Sequence, residues 1–152
     1  MYKRQDEIIT YSFISPTYYD KIDLPKDSPL RDSLKILNPL GEDTSIMRTT
    51  TLPSMLEILT RNFNFRNKSV KLYELGRTYQ LGGEDGLAIE PKTLTLGTYG
   101  PQASFFALKG LVEAIMKDIR AKDVHFEACD DNPSYHPGRC ADLYVDLSLI
   151  HI

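Results

Sequence analysis

Val70-Lys71-Leu72-Tyr73-Glu74-Leu75-Gly76-Arg77-Thr78-Tyr79 is the stretch on which the fold turns, a run rich in β-branched, aromatic and aliphatic side chains. Such side chains favour the pleated backbone of a strand. The run ends at Gly82-Gly83-Glu84-Asp85-Gly86, a turn with three glycines, and Thr93 to Tyr99 returns as a second strand closed by Gly100-Pro101. Two strands and a glycine-rich tip predict a hairpin.

A helix precedes this hairpin. Leu52, Met55, Leu56, Leu59 and Phe63 recur at helical spacing on one face, the periodicity of an amphipathic helix. Thr51 is placed to cap it, and Pro53 stands in the first turn, where a missing N–H costs nothing. Asn64 and Asn67 break the pattern. A second helix follows the hairpin, marked by Phe105, Leu108, Val112, Ile115, Met116 and Ile119 and capped by Ser104. Gly110 inside it costs about 1 kcal/mol relative to alanine, which predicts close packing on a neighbour.

Upstream, Glu7 to Ile14 reads as a strand stopped by Ser15-Pro16, and a turn or short helix follows to Ile22. Leu24 to Pro29 is a proline-rich loop, and Leu34 to Leu37 is a short strand closed by Asn38-Pro39, because the residue before proline is biased to extended geometry. Downstream, Val124–Ala128 and Ala141–Asp146 are strands flanking the loop Asn132 to Gly138. Strands joined by short turns and interrupted by two helices argue α+β: an antiparallel sheet flanked by helices.

Length and composition bound the function. The chain has 152 residues, enough for one domain over 1–152. Hydrophobic residues make up 41% and charged residues 26%, which fills a core and lies far from the signature of disorder. The formal net charge is -3, so any nucleic-acid contact must come from a local patch rather than from overall charge. No apolar run is long enough to span a bilayer, and the N-terminus lacks the apolar core of a signal peptide. A cytoplasmic protein with no membrane partner is expected.

Four groups of residues could carry chemistry. The Gly82–Gly86 loop lacks the order of a phosphate-binding loop and reads better as a hairpin tip. Arg61, Arg66, Lys68 and Lys71 share a short stretch with Phe63 and Phe65 and no acidic residue. Cations interleaved with aromatics can hold phosphates and stack bases, which makes this a possible RNA contact. A solvated helix end is the plainer reading, and Phe63 continues the apolar helix face, so at least one aromatic should be core. His136 beside Arg139 has no neighbour spaced to make it a general acid or base. His125, Cys129, His136 and Cys140 lie at gaps of four, seven and four residues, with Cys129 on a strand rather than on the tight turn that usually aims paired zinc ligands, so a zinc site is the lesser reading and two reduced cysteines are expected. No metal, cofactor-binding or catalytic residue is assigned from spacing.

Met47-Arg48-Thr49, Leu52-Pro53 and Tyr73-Glu74-Leu75-Gly76-Arg77-Thr78-Tyr79, taken with Asn38-Pro39, Leu108-Lys109-Gly110 and His136-Pro137-Gly138-Arg139, carry a family resemblance. In order and spacing they resemble the catalytic-like domain of bacterial phenylalanyl-tRNA synthetase beta subunits, from about Asp6 to Asp146. The resemblance implies a class II aminoacyl-tRNA synthetase-like fold. It also implies an alpha-subunit partner in an (αβ)2 enzyme that charges tRNA with phenylalanine, using ATP and magnesium. The beta subunits are much longer, so the chain is expected to be a fragment.

The resemblance implies an inactive copy of the alpha subunit's catalytic domain. Where the alpha strand runs on into an arginine that holds the ATP α-phosphate, this chain has Gln80. A neutral amide cannot supply the fixed charge that stabilises a phosphoryl transition state. The Asn132–Arg139 loop lacks the two phenylalanines that wall the alpha subunit's amino-acid pocket, and the family's third motif would lie past Ile152. An interface role remains. Arg48, Leu52, Pro53, Glu74 and Arg77 are the expected fold-and-interface residues, with Glu74 and Arg77 as a possible internal pair.

Overall fold

A computed structural model describes residues 5–83, 87–145 and 148–151, and side chains as far as residue 145. Glu84–Gly86 of the expected hairpin tip and Asp146 of the expected last strand lie outside the described residues. The chain divides into two compact units, Met1–Pro101 and Gln102–Ile152.

In the first unit the hairpin forms as the sequence predicts. Strands β4 (Val70–Arg77) and β5 (Lys92–Tyr99) pair antiparallel from Val70 opposite Tyr99 to Arg77 opposite Lys92. Side chains alternate across a strand with a period of two, so Leu72 and Glu74 are buried on one face while Lys71, Leu75 and Arg77 are exposed on the other. Helix α1 (Leu52–Asn64) lies on the buried face. Gly97, opposite Leu72, gives it room: a Cβ there would come within 2.6 Å of Met55 Sδ and 2.9 Å of Leu59 Cδ1.

The expected strand from Glu7 to Ile14 is instead two short pieces. β1 (Asp6–Glu7) runs parallel to β4, and Ile8 N–H donates to Tyr73 O. The chain then leaves that edge, and β2 (Phe13–Ile14) pairs antiparallel with β3 (Ile46–Met47). Between the two pieces Thr10 is turned onto Glu74, which a continuous straight strand would not permit. The expected Leu34–Leu37 strand reduces to one bridge, Lys35 to Ile46. Four single-turn 3-10 helices, Pro16–Tyr18, Asp20–Ile22, Pro29–Arg31 and Glu42–Thr44, lie between β2 and β3. Ile14, Tyr19 and Ile46 form a buried cluster against which Tyr18 and Leu24 pack.

The two ends of α1 differ from expectation in instructive ways. Thr51 does not cap the helix with its side chain; its hydroxyl is spent on Thr95 of β5, and Thr50 Oγ1 accepts the Leu52 N–H instead. At the other end Asn67 N–H reaches Asn62 O and Arg66 N–H reaches Phe63 O at 2.8 Å. That is a Schellman closure, and it holds Arg66 at a φ of 60°.

In the second unit Ser104 caps α2 (Phe105–Asp118) as expected, its Oγ accepting the Ala107 N–H at 3.1 Å. α2 ends on the same closure, with Arg120 at a φ of 57° and Ala121 N–H on Met116 O. The expected close packing at Gly110 is not seen within this unit: among its described residues a Cβ there would meet nothing within 4 Å. β6 (His125–Ala128), β7 (Ala141–Val145) and β8 (Ser148–His151) form an antiparallel sheet in that order. β8 has no counterpart in the sequence reading. The fold class is α+β, with antiparallel sheets and helices, save for the parallel β1. Among the described residues no helix is long and apolar enough to cross a membrane.

Candidate functional site

Arg48 follows directly on β3, and its main chain ties two segments together: its N–H donates to Ser12 O and its carbonyl accepts from Tyr79 N–H, both at 2.9 Å. Its side chain runs under the hairpin. The guanidinium reaches Glu74 Oε1 at 3.0 Å, and both side chains are only 2% exposed. Nε donates to Arg77 O at 2.9 Å and Nη1 to Thr10 Oγ1 at 2.6 Å. Thr10 closes the ring, its N–H on Glu74 Oε1 at 3.2 Å and its hydroxyl 2.9 Å from each carboxylate oxygen. A hydroxyl has one proton, so it donates to one oxygen at a time while accepting from Arg48.

This arrangement explains the glycine in the Glu74-Leu75-Gly76-Arg77 motif. A Cβ on Gly76 would overlap Arg48 Nη2 and sit 3.0 Å from Glu74 Oε1. Buried charges are tolerated only when paired and fully hydrogen-bonded, and among the described residues no buried side-chain polar atom lacks a partner. The pairing of Glu74 with Arg77 is therefore corrected. Residues three apart on a strand point to opposite faces, so Arg77 turns outward and pairs with Glu90 at 3.1 Å, both half-exposed. Pro53 is buried and Leu52 half-buried at the start of α1. Period two alone places Glu74 on the core face beside Leu72, and that was the sequence signal for a buried carboxylate in need of a cation. Thr10 gave no such signal.

The basic stretch lies at the far end of α1. Arg61, Arg66, Lys68 and Lys71 are all exposed, and among the described residues no acidic side chain pairs with them. Neither aromatic is core. Phe63 is 67% and Phe65 72% exposed. Phe63 meets Tyr99 edge-to-face with centroids 5.9 Å apart. Leu56, one heptad before Phe63 and on the same helix face, is also exposed.

Other titratable groups are structural in aspect. Tyr18 donates to Glu57 Oε2 at 2.6 Å, tying the first 3-10 turn to α1, and that bond pushes the phenol up to about 12. Tyr135 is pushed up by burial. His136 is exposed with Nδ1 against Pro137 O, and Arg139 is exposed beside it. Among the described residues no three His, Cys, Asp or Glu side chains group closely enough to hold a metal.

Residues 4–150 match the family model described as the phenylalanyl tRNA synthetase beta chain CLM domain. The chain is similar to phenylalanine–tRNA ligase beta subunits. It is 42% identical over 142 residues to that of Clostridium tetani and 44% identical over 146 residues to that of Clostridium acetobutylicum. These alignments cover 93% and 95% of the chain but 18% of each relative, so the chain spans under a fifth of their length. In structure it resembles pyrrolysyl-tRNA synthetase from Desulfitobacterium hafniense, with a TM-score of 0.67 over 97% of this chain and 51% of that one, at 14% identity. At that identity the likeness speaks for the fold alone, which is class II synthetase-like.

Proposed function

The chain belongs to the phenylalanyl-tRNA synthetase beta chain CLM domain family, and from that premise we propose that it is a non-catalytic scaffold for the alpha subunit in an (αβ)2 phenylalanine–tRNA ligase. That enzyme, cytoplasmic and using ATP and magnesium, carries out its chemistry in alpha. The observation that carries the reading is how this chain uses its family motifs. Arg48, Glu74 and Gly76 are consumed by one another in a closed, buried ring, while Leu56 and Phe63 leave an apolar row open on α1. Charges so enclosed hold a fold; an unpartnered apolar helix face suits another chain. Gln80 in place of a phosphate-binding arginine supports the same conclusion. Leu52 and Pro53 set the start of α1, and Arg77 presents its charge on the opposite sheet face.

The test is assembly of the full-length beta subunit with alpha, followed by size-exclusion chromatography with light scattering. Leu56→Asp with Phe63→Asp should weaken the complex at least tenfold while beta stays folded. An unchanged complex would remove α1 from the interface.

A second reading is favoured by one feature, the exposure of both Phe63 and Phe65 among four exposed cations. Aromatic faces beside a positive patch suit single-stranded or looped RNA, so the end of α1 is proposed as a tRNA contact. Reversing Arg66 and Lys68 to glutamate in the full enzyme should weaken tRNA binding and lower its salt slope by about 1 for each phosphate no longer held. Binding and slope both unchanged would sink this reading.

A further inference from the structure

Cys129 and Cys140 stand at the point where β6 and β7 diverge into the loop 130–139. Ala128 faces Ala141 in the sheet register, so the two cysteines are the next cross-strand pair, and Cys129 N–H donates to Cys140 O at 3.1 Å. Both are 6% exposed and neither is in a disulfide. Directly opposed antiparallel residues have Cα atoms about 4.5–5.5 Å apart, inside the roughly 4.4–6.8 Å that a disulfide spans. The strands already hold the two backbones at that spacing, so oxidation requires little backbone movement.

We propose that Cys129 and Cys140 are a dithiol–disulfide pair that a low-molecular-weight disulfide oxidises, stapling the base of the 130–139 loop. One protein thiolate attacks the small disulfide, forming a mixed disulfide and releasing one small thiol. The second protein thiolate attacks the protein sulfur of that mixed disulfide and releases the other small thiol. The two protein protons end on the released thiols, and the two electrons lost by the protein reduce one small disulfide to two thiols.

The surroundings set the rate. Burial and the neighbouring Cys129 and Asp142 push the Cys140 thiol up to about 11. Cys129 donates its S–H to Asp131 Oδ1 at 3.2 Å, and Tyr135 lies near Cys140. The thiolate is the nucleophile, so closure is slow at neutral pH and speeds up as pH rises. The loop that would be stapled is a set of local turns, with Tyr135 N–H on Asn132 O and Arg139 N–H on His136 O. It carries the His136-Pro137-Gly138-Arg139 motif. Tying its ends together restricts its opening, as closing any loop does.

The experiment uses the full-length beta subunit in complex with alpha. The complex is incubated with oxidised glutathione, alkylated and digested with trypsin without reductant. Trypsin cuts after Arg139, so the two cysteines fall in separate peptides. The expected product is those two peptides joined, about 2 Da lighter than their sum, and separated again by reductant. Amide exchange across the loop should slow in the oxidised sample and recover on reduction. In Cys140→Ser the reaction should stop at a glutathione adduct on Cys129. Wild-type peptides that are both alkylated, or that carry glutathione without joining, would overturn the proposal whether or not the variant folds.

Discussion

Two clusters of charge lie in the first unit, and the chain treats them oppositely. Beneath the hairpin, Arg48 and Glu74 are sealed from water and held by Thr10 and the Arg77 carbonyl as well as by each other. At the end of α1, Arg61, Arg66, Lys68 and Lys71 stand in solvent beside two exposed phenylalanines. Both clusters are conspicuous as sequence. One holds three segments together, β4, the stretch around Thr10 and the residue after β3; the other pairs with no acidic side chain among the described residues. A charged motif residue thus serves the fold when its partners come from distant segments, and serves a surface when it faces water.

The sharpest way to break this contrast is Glu74→Ala. It leaves the Arg48 guanidinium buried without its carboxylate and takes both acceptors from Thr10. Removing one member of a buried ion pair costs about 3–5 kcal/mol, so the midpoint of urea unfolding should fall steeply. A loss below about 1 kcal/mol, the range of exposed pairs, would mean that water reaches the ring and that the two clusters are alike.

Much of the fold was legible because it is local. The alternation in Val70–Arg77, the helical spacing from Leu52 to Phe63 and the Ser104 cap are each decided by residues within a turn or two of one another, and each appears where the sequence puts it. What was not legible depends on partners far along the chain. The run Glu7–Ile14 has strand composition, yet the side chain of Thr10 is claimed by Glu74, sixty-four residues away. Thr51 is a good cap by type, but Thr95 of β5 takes its hydroxyl. Phe63 follows Leu59 at helical spacing and still ends on the surface, because it shares the helix face of Leu56, which is exposed, rather than that of Met55, which is buried, and spacing alone does not say which edge of the apolar stripe the sheet covers. In the candidate site, residue identities were readable and pairings were not.

The smaller effect belongs to Arg66, and it sharpens the contrast from the other side. Its φ of 60° is a left-handed conformation, which costs a residue with a Cβ about 1–2 kcal/mol and glycine little. The helix-closing position it occupies is ordinarily glycine's. Arg66→Gly should therefore stabilise the chain, by about 0.5–1 kcal/mol after glycine's extra entropy in the unfolded chain is counted. Arg120 ends α2 on the same closure at a φ of 57°, outside the basic stretch, so Arg120→Gly is the matched control. Both variants should raise the unfolding midpoint equally, and only Arg66→Gly should weaken tRNA binding by the full enzyme. If Arg66→Gly is stabilising and binds tRNA as well as the parent, arginine at this turn owes nothing to a phosphate, and the tRNA reading is left to Arg61, Lys68 and Lys71.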